Sequence, residues 1–98
     1  MRVEFSPGAE NDLREIALFI AIENPERAIT FTLELQAAAK GIGDNPRRFK
    51  QIGTRGDEPV RRRIYNGYVI LFRHNDDRVA ILRIVHGAAV TGSFIEDL

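Results

Sequence analysis

The chain has 98 residues, 44% of them apolar, and a formal net charge of zero. This length supports one compact core but not two, so residues 1–98 are predicted to form a single domain. There is no cysteine, which excludes a disulfide framework and a thiolate zinc site. No basic leader precedes an apolar run and no long apolar stretch occurs, so we expect a cytoplasmic protein without membrane contact.

The neutral total hides an uneven distribution of charge along the chain. Acidic residues outnumber basic ones from Met1 to Ala39, and basic residues outnumber acidic ones from Lys40 to His86. A basic surface of this kind can face phosphate or an acidic protein. The alternative is that mixed charges only keep a small domain soluble, and composition alone does not choose between the two.

The first half of the chain predicts one strand and two helices. Arg2–Phe5 alternates polar and apolar residues, which is typical of a short half-buried strand. Ser6–Pro7 is then an N-cap followed by proline at the first helical position, and Asn24–Pro25 repeats this pattern. One helix therefore ends near Glu23 and a second begins at once, which makes the pair an antiparallel hairpin. Asn45–Pro46 follows the end of the second helix.

The second half predicts a loop followed by three strands. Arg47–Pro59 is polar, charged and without a period, which indicates a loop. Val60–Tyr65 and Tyr68–His74 flank Asn66–Gly67, a dipeptide that suits the type I′ turn of a hairpin. Val79–His86 is apolar on both faces, as expected of a covered or central strand. The predicted order is β-α-α-β-β-β, an α+β fold with a helix hairpin packed on a small antiparallel sheet.

Pairing Tyr65 with Tyr68 across the turn fixes which side chains share a face of the sheet. If the second turn has three residues, the bulkier apolar face is predicted to pack against the helices. It carries Tyr65, Tyr68, Ile70, Phe72, Ala80, Leu82 and Ile84 with Arg61, Arg63 and His86. The opposite face is predicted to be a shallow apolar surface with arginines. It carries Val60, Ile64, Val69, Leu71, Val79, Ile81 and Val85 with Arg62, Arg73 and Arg83.

Few side chains in the sequence could perform catalysis. His74 and His86 are the only histidines and are not spaced as ligands on one helix, so neither a metal nor a cofactor is predicted. Asp76–Asp77 lies where a turn requires short polar residues. Phosphodiester cleavage without a metal needs a base and an acid beside arginines, and no convincing pair is found. No catalytic residue is predicted. His86 either acts as a base or is a structural residue at the end of the last strand.

Three segments of the chain follow one another in a characteristic order. V-E-F-S precedes the proline-capped helix pair, and V-R-R-R-I-Y-N-G-Y-V-I-L-F-R and R-V-A-I-L-R-I-V-H-G form the last strands. Over nearly the whole chain this order resembles the ParE/RelE superfamily of type II toxin–antitoxin systems. The end of the last strand, Arg83–Gly87, is similar to that of the ParE branch. RNases of the RelE branch carry arginine, a basic pair and tyrosine at places that hold Val69, Ala88–Ala89 and Ile95 here.

The ParE resemblance implies a toxin that inhibits DNA gyrase by stabilising its cleaved complex with DNA, which is binding and not catalysis. It also implies a ParD-like antitoxin, which is a ribbon-helix-helix dimer whose C-terminal segment folds onto the toxin. The resemblance implies that the toxin contacts operator DNA only through this antitoxin. A RelE-like ribosome-dependent mRNA endoribonuclease and a non-toxic interaction module of the same fold are the alternatives. One departure from many ParE tails is that residues 88–91 are uncharged.

Two sets of contact residues are predicted. Guanidinium groups on a sheet suit phosphate or an acidic partner, although each could instead pair with a nearby acid. On this basis target contact is predicted for Arg62, Arg73, Arg83 and His86. The helix pair also carries a second apolar surface, which either completes the chain's own core or receives an amphipathic helix of the antitoxin. This predicted antitoxin surface comprises Leu18, Phe19, Ile22, Ile29 and Leu33.

Overall fold

A computed structural model describes all residues from Met1 to Leu98 and confirms the α+β fold class. The two long helices lie on one face of a five-stranded sheet. No helix has both the length and the apolar character that crossing a membrane requires. In chain order the elements are β1 (Arg2–Phe5), α1 (Pro7–Ala21), α2 (Pro25–Gly41), two 3-10 turns (Ile42–Asp44 and Pro46–Arg48), β2 (Gln51–Arg55), β3 (Glu58–Tyr65), β4 (Tyr68–His74), β5 (Arg78–His86), a third 3-10 turn (Gly87–Ala89) and α3 (Gly92–Glu96).

Both long helices begin where the caps predict. The side-chain oxygen of Ser6 accepts a hydrogen bond from Ala9 N, and that of Asn24 accepts one from Arg27 N, each at 3.0 Å. Each bond satisfies one of the N–H groups that have no partner inside the helix. Only three residues separate α1 from α2, a connection typical of a helix hairpin, and the two helices form one groove between them.

The hairpin of β3 and β4 also agrees with the prediction. Tyr65 lies opposite Tyr68, as the two-residue turn requires. Asn66 and Gly67 have φ angles of 47° and 81°, which lie in the left-handed region that this turn needs. This local chemistry fixes which residues of β3 and β4 face the helices.

Two features of the sheet differ from the prediction. The strand order is β1-β5-β4-β3-β2, and the segment predicted as a loop, Arg47–Pro59, supplies edge strand β2. Ile52 is the only large apolar residue of β2, so no alternation of polar and apolar residues identifies this segment as a strand. Strand β1 pairs in parallel with β5, from Arg2 opposite Arg78 to Phe5 opposite Ile81, so the sheet is mixed and not wholly antiparallel. Alternation of residue types indicates a strand but not its direction.

The predicted faces of β5 are wrong for four residues because the turn before it is shorter than assumed. A backbone hydrogen bond closes the turn around two residues, Asp76–Asp77, and not three. Phe72 therefore lies opposite Ile81 instead of Ala80. A shift of one residue exchanges the two faces of a strand. As a result Val79 and Ile81 pack toward the helices, whereas Ala80 and Leu82 point away from them.

A β-bulge in β5 limits this error to the first half of the strand. Leu71 lies opposite Arg83 while the next residue, Phe72, lies opposite Ile81, so Leu82 is the extra residue of the bulge. The register returns to the predicted face beyond this point, and Ile84 is buried under the helices as expected.

The sheet has a core on each face. Thirteen buried residues lie between the sheet and the helix hairpin, with Leu35 and Phe72 among them. A smaller cluster on the other face contains Val60 and Leu71 and is covered by Ile95 of α3. Gly53 permits this close approach, because a Cβ there would lie 3.2 Å from Ile95 Cγ2. The predicted open apolar surface on this face is therefore wrong: the C-terminal residues fold back over it.

Candidate functional site

The helix hairpin exposes large apolar side chains on the side away from the sheet. All five residues of the predicted antitoxin surface are exposed: Leu18 by 69%, Phe19 by 72%, Ile22 by 81%, Ile29 by 66% and Leu33 by 58%. The alternative that they complete the chain's own core is wrong. A partner that fully buried such a side chain would gain about 1.5–3 kcal/mol from it, so this surface is suited to a protein contact.

Three of these side chains line a groove between α1 and α2. Leu18 stands on the α1 side, and Ile29 and Leu33 stand on the α2 side. Small residues, Ala17 and Ala28 among them, lie between these larger ones and make the surface concave. The apolar lining suits an amphipathic helix. The other two residues of the set, Phe19 and Ile22, lie apart from the groove at the helix connection.

The groove changes from apolar to charged along its length. Arg14 and Thr32 line its middle part, next to the leucines. Beyond them it continues toward β1 between Glu10 and Lys40. Neither Arg14 nor Lys40 has a carboxylate within ion-pair distance. A segment with apolar residues at one end and acidic residues at the other would match this pattern of chemistry.

The edge of β5 is closed by α1 where β1 stops. Strand β1 ends at Phe5, so beyond Ile81 the backbone of β5 has no strand on the side opposite β4. Ser6 Oγ donates a hydrogen bond to Leu82 O at 2.8 Å, and Asp12 Oδ2 accepts one from Ile84 N at 2.8 Å. These side chains satisfy backbone groups that would otherwise be left without partners at an exposed edge.

Arg83 is held at this edge by Asp12, which is the only buried charged residue. Arg83 Nε donates to Asp12 Oδ2 at 2.7 Å, and Arg83 Nη2 donates to Asp12 Oδ1 at 3.0 Å. The hydrogen bonds to Asp12 hold the pKa of Arg83 above its usual range. This predicted target residue therefore already has a structural partner.

The other predicted target residues are distributed over both faces of the sheet. Arg62 and Arg73 share the face away from the helices, where Arg73 Nη1 lies 3.0 Å from Glu58 Oε2 and Arg62 has no ion pair. His86 is exposed at the end of β5, and its ring lies 4.9 Å from that of Tyr68, centroid to centroid. The register thus brings Arg62, Arg73 and Arg83 to one face, with Arg62 and Arg83 both opposite Leu71, but it places His86 opposite Tyr68 and does not gather the four residues at one place.

The structure gathers three arginines around Phe49, a grouping that the sequence did not predict. The Cζ atoms of Arg48 and Arg63 lie 4.7 and 5.4 Å from the centroid of its ring. Arg61 Nη1 donates to Phe49 O at 2.7 Å, and Arg63 Nη1 donates to Ala38 O at 2.9 Å. Alternation along β3 does place Arg61 and Arg63 on one face, but Phe49 lies in the segment predicted as a loop. We call Arg48, Arg61, Arg63 and Phe49 the arginine cluster.

A hydrogen-bonded trio links α2 to the end of β3. Tyr65 Oη donates to Glu34 Oε1 at 2.5 Å, and Arg27 Nη2 donates to the same atom at 3.3 Å. The hydrogen bond from Arg27, followed by that from Tyr65, lowers the pKa of Glu34. The hydrogen bond to Glu34 raises the pKa of Tyr65 above its ordinary value of 10.0.

Titration of the tyrosine tests this trio. In a Tyr68→Phe variant Tyr65 is the only tyrosine and there is no tryptophan, so alkaline absorbance reports Tyr65 alone. We expect a midpoint above pH 10, moved downward by Glu34→Gln, because the neutral amide no longer favours the protonated phenol. Since the folded-state pKa is raised, the stabilisation is complete below pH 10 and is lost as the pH rises through that pKa. A midpoint at or below 10 that Glu34→Gln leaves unchanged would contradict the assignment.

Comparisons with known proteins agree on one family and one fold. Residues 3–90 match the family model described as the ParE toxin of the type II toxin-antitoxin system, parDE. A solved chain from the chromosomal ParDE TA system of P. aeruginosa is similar in fold, with a TM-score of 0.72 and 21% sequence identity over 88% of this chain and 95% of that one. No curated protein matches the sequence.

Proposed function

This chain belongs to the ParE toxin family of type II toxin–antitoxin systems, and from that membership we propose that it binds DNA gyrase and stabilises the cleaved gyrase–DNA complex. The observation that carries the proposal is the family match, which spans residues 3–90 of the 98. The site of action would be the cytoplasm. The chain would act by occupying a target surface and not by turning over a substrate.

The residues of the smaller core, on the sheet face away from the helix hairpin, support target binding over RNA cleavage. A RelE-type RNase carries an arginine where this chain has Val69. Here that valine is 4% exposed and packs in the cluster that Ile95 covers, so the place is filled by apolar side chains. Neither histidine forms an ion pair with a carboxylate, so no histidine–carboxylate pair stands beside the arginines. An acid and a base beside a basic residue are what metal-free phosphodiester cleavage would need.

We further propose that a ParD-like antitoxin neutralises the chain by laying an amphipathic helix in the groove between α1 and α2. The exposure of Leu18, Ile29 and Leu33 supports this placement, and Phe19 and Ile22 would receive a neighbouring part of the same segment. Acidic residues of the segment would lie at the Arg14 and Lys40 end. The ribbon-helix-helix part of the antitoxin would bind operator DNA.

The residues proposed for target contact differ in whether they already form an ion pair within the chain. Arg62 and His86 have no ion pair and can contact a target without rearrangement. Arg73 and Arg83 would have to leave Glu58 and Asp12 or contact the target with their remaining N–H groups. We therefore propose Arg62 and His86 as the first contacts and Arg73 and Arg83 as the second.

A translating extract separates the two toxic mechanisms. We expect a defined mRNA to remain uncut when the purified chain is added to an active translation extract, because the proposed action is binding to a target and not catalysis. A known ribosome-dependent RNase added to the same extract is the positive control. Transcripts cut only when ribosomes translate them would replace the gyrase proposal with the RNase alternative.

A further inference from the structure

The arginine cluster concentrates positive charge that the protein itself does not neutralise. Two of its guanidinium groups lie over the Phe49 ring and the third is bound to the Phe49 carbonyl. Asp44 and Glu34 line the adjacent groove, but no carboxylate oxygen comes within 4.0 Å of any of the three guanidinium groups. Like charges held together in this way attract an external anion.

The three arginines are held in place while most of their donors remain free. Arg61 and Arg63 each donate one hydrogen bond, to Phe49 O and Ala38 O, and Arg48 donates none. Arg61 Nε is buried without a partner, so Arg61 would contact a ligand through its terminal nitrogens. A guanidinium group has five N–H donors in a planar fork, which matches the oxygens of a phosphate. The carbonyl bonds and the aromatic ring restrict the arginines before a ligand arrives, so less side-chain entropy is lost on binding.

The surroundings favour a nucleic acid backbone over an acidic protein segment. The exposed large apolar side chains of the chain are Met1, Ile64 and the five residues on the helix hairpin, and none belongs to the cluster. Protein partners usually gain affinity by burying apolar anchors, whereas protein–DNA interfaces are more polar and more positively charged. Lys50, which has no ion pair, adjoins the cluster in sequence and extends its charge, whereas Arg47 is paired with Asp76 at 3.5 Å.

We propose that the arginine cluster binds phosphates of duplex DNA. This proposal rests on the proposed function, because the chain would meet DNA in its complex with gyrase. It adds that the chain contacts the DNA itself as well as the enzyme. Three phosphate contacts predict a salt dependence with a slope, in log affinity against log salt, of about −2.7.

Fluorescence anisotropy with a labelled duplex of about 20 base pairs, without gyrase, tests the proposal through its salt dependence. The wild-type chain should bind the duplex at low salt with the slope given above. Arg48→Gln should lower the affinity about tenfold at 0.1 M salt and reduce the slope by about 1, and Arg48→Gln with Arg63→Gln should lower both further. Thermal unfolding checks that each variant is folded. The Arg48→Gln variant should unfold close to the wild type, since Arg48 is exposed and forms no hydrogen bond.

A matched change outside the cluster separates a site from general charge. Arg55→Gln removes an exposed, unpaired arginine from the far end of β2 and should leave DNA affinity within about twofold. An equal loss for Arg55→Gln, or no duplex binding by the wild type at low salt, would overturn the proposal. So would tighter binding of a polyglutamate peptide than of the duplex. Gyrase-dependent DNA cleavage without duplex binding would overturn the DNA contact and leave the proposed function standing.

Discussion

Aspartate in place of Leu33 is expected to lower the affinity for the antitoxin at least about a hundredfold. Leu33 is 58% exposed on the wall of the groove between α1 and α2. Covering a leucine there contributes about 1.5–3 kcal/mol, and covering an unpaired carboxylate in its place is itself unfavourable. Leu18→Asp, on the opposite wall, should act in the same direction. Isothermal titration of each variant with the co-expressed antitoxin measures the loss.

The effect should belong to binding and not to folding. Substitutions at exposed sites usually change stability by less than about 0.5 kcal/mol, so both variants should unfold close to the wild type. Ile64→Asp is the matched control, because Ile64 is a similarly exposed apolar residue, at 56%, on β3 outside the groove. Unchanged affinity for Leu33→Asp and Leu18→Asp, or an equal loss for Ile64→Asp, would place the antitoxin elsewhere on the chain.

Replacing Asp12 with alanine is expected to destabilise the fold by about 2–3 kcal/mol, below the full value of a buried ion pair because Arg83 is partly exposed. The substitution removes both hydrogen bonds to Arg83 and leaves Ile84 N, which is buried, without its partner. For a domain of this size the midpoint of thermal unfolding should fall by about 10 °C or more. Circular dichroism during heating gives this midpoint.

Glu23→Ala is the control for this change. Glu23 is exposed near the end of α1 and forms no ion pair, so its loss should leave the midpoint nearly unchanged. If Asp12→Ala unfolded at the wild-type temperature, the assignment of Arg83 as a structural partner would be wrong. The stability of Asp12→Ala matters for function, because it indicates how much of any loss of toxicity in an Arg83→Ala variant comes from loss of the folded state.

The parts of the fold that follow from local chemistry could be predicted from the sequence. Ser6 and Asn24 cap helices because their side chains replace missing backbone partners, and Asn66–Gly67 forms its turn because both residues accept positive φ angles. These features depend on two to four neighbouring residues. The exposed apolar surface was predictable for a similar reason, since helical spacing already placed more apolar residues on the helices than one buried stripe could hold.

The features that depend on distant residues could not be predicted. Three short polar residues before β5 allow a turn of either two or three, and no local pattern marks the bulge, at which Leu82 enters one core while Ile81 and Ile84 enter the other. Strand β2 is recognisable only by its pairing with β3, since Ile52 alone is apolar. The arginine cluster joins Arg48 and Phe49 to Arg61 and Arg63 of β3, which lie at least 12 residues away from Phe49 in sequence. Thr91, which accepts a hydrogen bond from Phe94 N at 3.1 Å, was a cap signal for α3 that the sequence analysis missed.

The most direct test of the gyrase proposal is to incubate the isolated chain with gyrase, supercoiled plasmid and ATP, then denature the mixture, digest the protein and look for linear DNA. We predict linear DNA that increases with the amount of the chain and disappears when the antitoxin is added. The Leu33→Asp variant should still produce linear DNA, but the antitoxin should no longer suppress it. No linear DNA at a high concentration of the folded chain, with the gyrase shown to be active, would contradict the proposal.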